Sequence, residues 1–224
     1  MNKRMQWMLL GITAVCGSGC IDLAVNDGRH KHRMVSQQQT PHRQVYTMRG
    51  GLGGVFSRGM NRLEDELVND YGIHAQSTVW YKGYALSQTI IRDYKAHTIS
   101  QPIILVGHSL GANEQINVAT TLQRAGAIPV DLLITVDAVL PFTIPANVKH
   151  VLNIYTPSWV PLFSGLSLRA KNVACTRVEN INVENVASVN HFTIDANDEV
   201  QRMMLAAIER TFAAHDDANV RRFR

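Results

Sequence analysis

The chain has 224 residues, enough for one domain with a full hydrophobic core and too few for two domains of ordinary size. No apolar run approaches the roughly 18 residues that a membrane-spanning helix needs. The formal net charge of +4 lies entirely in residues 1–43, which carry six basic and two acidic residues. The remaining residues are neutral overall, so the charge gives no support for a nucleic-acid partner.

The N-terminus has the pattern of a bacterial export signal. Lys3 and Arg4 precede a short apolar run that ends near Val15. The following Gly-Ser-Gly-Cys20 resembles a lipobox, although Gly17 stands where an aliphatic residue is usual. We expect residues 1–19 to be the signal and Cys20 to carry a lipid that anchors the protein to a membrane facing the periplasm. Ordinary cleavage, giving a soluble secreted or periplasmic protein, is the alternative.

Residues 20–43 are basic and polar and lack apolar periodicity, so they predict a disordered tether. His30, His32 and His42 lie in this segment, but no second cluster of ligands accompanies them and no metal site is predicted. The folded domain is expected to cover residues 44–224.

From residue 44 onward, short apolar runs alternate with amphipathic stretches. A strand at residues 44–49 leads into a glycine-rich loop at 50–54. Strands are predicted at 73–80, 102–107, 130–136, 150–155 and 176–183, and helices at 56–71, 84–97, 110–124 and 200–212, the last one capped by Asn197 or Asp198. This alternation predicts an α/β domain with a mostly parallel, twisted sheet and helices on both faces.

The sequence Gly107-His108-Ser109-Leu110-Gly111 stands between a buried strand and a helix. That setting is typical of a nucleophile elbow, a strained turn that raises a serine above the sheet and needs small residues on either side. The helix N-terminus would favour developing negative charge beside Ser109. Ser109 is therefore the candidate nucleophile, and a tight turn with an idle serine is the alternative. His108 is interpreted as a packing or supporting residue because adjacent side chains on such a turn point apart.

A serine nucleophile needs a base beyond the carboxyl ends of the strands. His191 follows the last predicted strand and precedes the last helix, whereas His74 and His150 lie near the starts of their strands. We therefore expect His191 to be the base. A loop histidine with a structural hydrogen bond is the alternative.

The acid that orients the base should also follow a strand. Asp137 directly follows a buried strand, whereas Asp131 begins it. Asp195 is expected to cap the last helix, and Glu179 and Glu184 are weaker rivals near the last strand. Asp137 is the candidate acid, with a turn or helix cap as its alternative role.

Stabilising an oxyanion requires two backbone N–H groups. One is expected from Leu110, the residue after the candidate nucleophile. The other is expected from the glycine-rich loop, with Leu52 as the donor and Gly51 as the next choice. This loop lacks the Lys-Ser/Thr ending of a phosphate-binding loop, so no nucleotide site is predicted.

Taken together, these motifs resemble the α/β-hydrolase superfamily over residues 44–213. The chain order serine, aspartate, histidine fits that fold. Gly-His-Ser-Leu-Gly is frequent in lipase-like and thioesterase-like members, and Val136-Asp137-Ala138 with Pro141 resembles lipases that carry the acid after strand six. Asn190-His191-Phe192-Thr193 resembles the histidine loop of small thioesterase-like members. The chain departs in lacking a His-Gly start to its oxyanion loop, and its short length leaves no room for a large cap.

The resemblance implies an esterase-like or lipase-like serine hydrolase that cleaves esters or thioesters through an acyl-enzyme and needs no cofactor. Its expected partner is a small-molecule or lipid ester. The apolar segment 157–168 is expected to line an acyl pocket with Trp159, Leu162 and Phe163, or else to be loop packing. An acyltransferase or peptidase on the same fold and a catalytically silent binding protein are the other hypotheses.

Overall fold

The structure is a computed structural model that describes residues 42–51, 54–55 and 57–222. Six parallel strands form the central sheet. They are β1 (His42–Arg49), β2 (Ala75–Val79), β3 (Ile99–His108), β4 (Val130–Val136), β6 (Val148–Tyr155) and β8 (Arg177–Asn182), in the order β2-β1-β3-β4-β6-β8. Two further strands of two residues each, β5 (Thr143–Ile144) and β7 (Arg169–Ala170), pair with each other.

Two helices cover each face of this sheet. They are α1 (Arg58–Asn69), α2 (Gly83–Lys95), α3 (Leu110–Arg124) and α4 (Asp198–Arg222). In β3, Ile104 and Val106 pack with α1 and α4, whereas Ile103 and Leu105 pack with α2 and α3. A strand that is buried on both faces must be apolar at every position, which explains its unbroken apolar run. The predicted α/β class, with a parallel sheet between helices, is confirmed, and the described residues include no large cap.

Strand β1 begins at His42, two residues inside the segment predicted as a tether. Arg43 is held by an ion pair with Asp216 of α4, and its guanidinium lies 5.5 Å from the centre of the Phe212 ring. The expected export signal and Cys20 lie outside the described residues. No helix in the described part of the chain has the length and apolar character needed to span a membrane.

The start of α4 confirms the predicted cap Asn197 and contradicts the cap predicted for Asp195. The side-chain oxygen of Asn197 accepts hydrogen bonds from the N–H groups of Glu199 and Val200, so Asn197 caps this helix. The prediction that Asp195 caps α4 is wrong. Asp195 lies in a preceding short 3-10 helix, fully buried, and its Oδ2 accepts the N–H of Gly59 in the first turn of α1.

Candidate active site

Ser109 occupies the turn between β3 and α3 with a φ of 58° and a ψ of −126°, a conformation that residues other than glycine rarely adopt. The two flanking glycines are required by close backbone contacts. A Cβ on Gly107 would lie 2.5 Å from the carbonyl oxygen of Gly111, and one on Gly111 would lie 2.4 Å from that of Met48. The predicted strand–turn–helix at Ser109 is therefore present, together with the steric reason for its glycines.

Three polar side chains that are distant in sequence meet beside this turn. The Oγ of Ser109 lies 3.0 Å from Nε2 of His191, and Nδ1 of His191 lies 2.7 Å from Oδ2 of Asp137. All three residues are buried. A carboxylate that accepts the Nδ1 proton leaves Nε2 free to accept the serine proton. The structure thus brings together the three residues that the sequence analysis selected for catalysis.

Backbone and glycine contacts fix the carboxylate of Asp137. Its Oδ1 accepts the N–H of Thr156 at 2.8 Å, and its own N–H donates to the carbonyl of Ile154. Asp137 has a φ of 53°, a second backbone conformation that residues other than glycine rarely adopt. A Cβ on Gly165 would lie only 1.9 Å from Oδ1, so the loop after β6 can close over the carboxylate only with glycine there.

The segment after Asp137 is also held by a side chain of α3. The Oδ1 of Asn113 accepts the N–H groups of Val139 and Leu140, and its Nδ2 donates to the carbonyl of Leu140. Since α3 also begins at the serine turn, one helix positions both the candidate nucleophile and the candidate acid.

The imidazole of His191 lies among other rings. The ring centres of Phe163, Phe192 and His108 are 5.3, 5.4 and 5.3 Å from it. The turn that carries it is closed by hydrogen bonds from the N–H groups of Thr193 and Ile194 to the carbonyl of Asn190. Within this packing, Nε2 of the ring faces Ser109.

The other acids considered in the sequence analysis are bonded elsewhere. Asp131, at the start of β4, accepts the N–H of Ile103 and pairs with Lys149 at 2.6 Å. Glu179 pairs with Arg177, and Glu184 accepts a hydrogen bond from the side chain of Asn182.

The backbone around Ser109 offers donors for an oxyanion. The first intrahelical bonds of α3 run from Ala112 and Asn113 to the carbonyl of Ser109, so the N–H of Leu110 precedes them at the helix N-terminus. Gly51 lies beside Leu110, since a Cβ on it would be 3.1 Å from Leu110 Cδ1. Leu52, the other predicted donor, lies outside the described residues.

Gly50, the first residue of the glycine-rich loop, also lies against Ser109. A Cβ on Gly50 would lie 2.9 Å from the Cβ of Ser109. The sequence signal for this contact is the position of Gly50 directly after β1, at the carboxyl edge of the sheet.

The three residues predicted for an acyl pocket take different positions. Phe163 packs against His191 and Phe192, whereas Trp159 and Leu162 are 85% and 55% exposed. A cavity of about 300 Å³ is lined by Val55, Arg58, Phe192, Asp195 and Ala196. Of the three, Phe163 has a ring that packs against the candidate base.

Two buried ionisable groups lie behind the triad. Burial, and secondarily the nearby His191 ring, lower the pKa of His108 to about 3. Burial raises the pKa of Asp195 to about 7 against the opposing effect of its hydrogen bonds from backbone N–H groups. The Oδ1 of Asp195 lies 3.9 Å from Nδ1 of His108. No local pattern indicates this position of Asp195, because its neighbours come from α1 and β3.

No group of three His, Cys, Asp or Glu side chains within the described residues is arranged to hold a metal ion. Cys175 is an exposed free thiol.

The parallel sheet, its helices and the serine, aspartate and histidine at its carboxyl edge define an α/β-hydrolase-like fold. No protein-family model and no curated protein sequence matches the chain. Among solved structures, a gene product of Listeria innocua is 12% identical, with a TM-score of 0.47 over 75% of this chain and 92% of that one. RedJ, a thioesterase of the prodiginine pathway of Streptomyces coelicolor, is 12% identical, with a TM-score of 0.42 over 82% and 99%.

Proposed function

We propose that the chain is a serine hydrolase that cleaves carboxylic ester or thioester bonds through an acyl-enzyme. One observation carries the proposal: the hydroxyl of Ser109, on a strained turn, lies 3.0 Å from an imidazole whose other nitrogen is 2.7 Å from a buried carboxylate. This arrangement supplies a nucleophile, a base and a group that stabilises the charged base.

In the proposed reaction, the Oγ of Ser109 attacks the substrate carbonyl while Nε2 of His191 takes the serine proton. Asp137 stabilises the imidazolium that forms, and the N–H of Leu110 donates to the developing oxyanion. The imidazolium then gives its proton to the departing alcohol or thiol, which leaves an ester on Ser109. A water molecule deprotonated by His191 hydrolyses this ester and restores the free serine.

The surroundings of His191 favour an apolar acyl group. The rings of Phe163 and Phe192 lie side by side, with centres 5.0 Å apart, and both pack against the imidazole. Phe192 is 41% exposed, so part of this apolar surface is open to a substrate.

A fluorophosphonate probe tests the proposal directly, because it reacts with a serine that an adjacent base activates. We expect the wild-type protein to be labelled at Ser109 and Ser109→Ala to show no labelling. Ser87→Ala is the matched control, since Ser87 is also buried but lies in α2 with its hydroxyl bonded to the carbonyl of Tyr84. Folded wild-type protein that takes no label would refute catalysis and favour a silent binding protein.

The acyl acceptor separates hydrolysis from the alternative of acyl transfer. We expect a series of ester substrates to release free acid at a rate that an added alcohol or amine does not increase. Products carrying the added acceptor as the main species would show a transferase, and cleavage of amides in preference to esters would show a peptidase.

A further inference from the structure

Behind the triad, a chain of hydrogen bonds joins the glycine-rich loop after β1 to the backbone of His191. The N–H of Gly50 donates to Oγ of Ser57 at 2.9 Å, and this Oγ lies 2.8 Å from Nδ1 of His108. Nε2 of His108 lies 2.9 Å from the carbonyl oxygen of His191. Ser57 and His108 are 2% and 1% exposed, so water does not compete for these bonds.

The donor and acceptor properties of these groups fix the direction of each hydrogen bond in the series. A carbonyl oxygen only accepts, so Nε2 of His108 carries the proton. Because burial lowers the pKa of this ring to about 3, the ring is neutral near neutral pH and its Nδ1 is an acceptor. The hydroxyl of Ser57 accepts the N–H of Gly50 and donates to Nδ1. All three hydrogen bonds therefore point the same way along the series, from the N–H of Gly50 to the carbonyl of His191.

Ser57 does not make the hydrogen bond that is usual for a serine at its position in a helix. It is the N-cap residue of α1, where a serine side chain usually accepts a helix N–H, yet it makes no such bond. Asp195 accepts the N–H of Gly59 in its place. The hydroxyl of Ser57 is thus directed to Gly50 and His108 rather than to the end of the helix.

We propose that Ser57 and His108 are positioning residues that hold the loop at Gly50 and the base His191 at a fixed separation on either side of Ser109. This inference rests on the serine hydrolase function proposed above. Gly50 lies against Ser109, so a shift of its loop changes the surroundings of the nucleophile. A misplacement of about 1 Å can lower a catalytic rate about 100-fold, so loosening either end lowers kcat more than it changes KM.

Variants of Ser57 test whether its hydrogen bonds to Gly50 and His108 affect catalysis. We expect Ser57→Ala to lower kcat about 10- to 100-fold with KM nearly unchanged, whereas Ser57→Thr, which keeps the hydroxyl, restores most of the rate. A trifluoromethyl ketone, which forms an oxyanion when a serine adds to it, should bind Ser57→Ala more weakly by a similar factor. All rates are divided by the concentration of sites titrated with fluorophosphonate, so that loss of folded protein is not counted.

Variants of His108 test its bond to Ser57 and its bond to His191 separately. The amide of His108→Asn reaches the position of Nδ1, so it keeps the bond to Ser57 and loses the one to His191. The amide of His108→Gln reaches the position of Nε2, so it keeps the carbonyl of His191 and loses Ser57. We expect both variants to lower kcat, and the downfield proton resonance of His191 Nδ1–H to move in His108→Asn but to stay in His108→Gln.

Asn147→Ala is the matched control. The side chain of Asn147 is also buried and donates to two carbonyls, those of Ala119 and Ile128, but it lies at the amino end of β6 on the opposite edge of the sheet. We expect this variant to be less stable and to keep the kcat and KM of the wild type for each titrated site.

The outcomes distinguish this inference from the proposed function. A folded wild type that fluorophosphonate does not label overturns the proposed function. A labelled wild type whose Ser57→Ala and His108 variants keep full kcat for each titrated site overturns the positioning role alone. If Ser57→Thr is as slow as Ser57→Ala, the hydroxyl has no such role.

Discussion

At the scale of single residues, the two carboxylate oxygens of Asp137 have separate partners. Oδ1 accepts the N–H of Thr156 and Oδ2 accepts the Nδ1 proton of His191. A backbone N–H can only donate, so an amide at this position would turn its oxygen toward Thr156 and its NH₂ toward His191. In an asparagine at position 137, the bond to Thr156 would therefore fix the orientation of the amide and, with it, the tautomer of the His191 imidazole.

Asp137→Asn should lower turnover by about 10⁴-fold while leaving the fold intact. An NH₂ facing Nδ1 makes that nitrogen an acceptor, so the proton moves to Nε2, which then cannot accept the proton of Ser109. Steady-state kinetics with an activated ester and circular dichroism provide the measurement. Asp131→Asn is the control, because Asp131 is a buried aspartate at the amino end of the same strand. Near-normal turnover in Asp137→Asn would show that the base does not need this carboxylate.

At the scale of elements, residues with a strong local pattern were predictable from the sequence. Helix α3 and strand β4 have the predicted bounds, because the serine turn and Gly126 mark the ends of the helix and an apolar run marks the strand. Strands β5 and β7 have two residues each and exist only through pairing between distant segments, so no local pattern indicates them. Beyond Phe212 the only large apolar residue of α4 is Val220, which is exposed, so no apolar periodicity indicates the extension of the helix to Arg222.

The same distinction applies to the site. Ser109, Asp137 and His191 follow predicted strands, and the carboxyl ends of parallel strands meet at one edge, so their proximity could be predicted. Ser57 and Asp195 could not be placed, because their partners come from elements that are distant in the chain. Strand order and long-range contacts are needed to find such residues.

The loop between β6 and β7 provides a prediction at this scale. Gly165→Ala places a methyl group where Oδ1 of Asp137 lies, so the carboxylate or the loop must move. We expect kcat/KM to fall by about 100-fold, as for other misplacements of about 1 Å. Kinetics with an activated ester, normalised to titrated sites, measures this loss. Gly72→Ala serves as the control, since Gly72 has a φ of 64° and open space around its Cβ position, and its substitution should lower stability without changing kcat/KM.

At the scale of the whole molecule, the buried groups Asp195 and His108 behind the triad change the free energy of unfolding in opposite directions as the pH rises. Burial raises the pKa of Asp195 from 3.8 to about 7 on folding, so between these values the folded state holds a proton that the unfolded state releases. Its contribution to the free energy of unfolding therefore falls as pH rises. Burial lowers the pKa of His108 from 6.5 to about 3 on folding, so between these values the unfolded state binds the extra proton and the free energy of unfolding rises with pH.

Removing one group at a time should expose the slope of the other between about pH 4.5 and 6.5. We expect the free energy of unfolding to increase with pH in Asp195→Asn, where His108 remains, and to decrease with pH in His108→Gln, where Asp195 remains. Each group contributes a slope of up to about 1.4 kcal/mol per pH unit. Urea unfolding at three pH values measures both slopes, and all other titrating groups contribute equally to the two variants. The difference between the variants therefore belongs to Asp195 and His108, and parallel curves would show that neither group changes its pKa on folding.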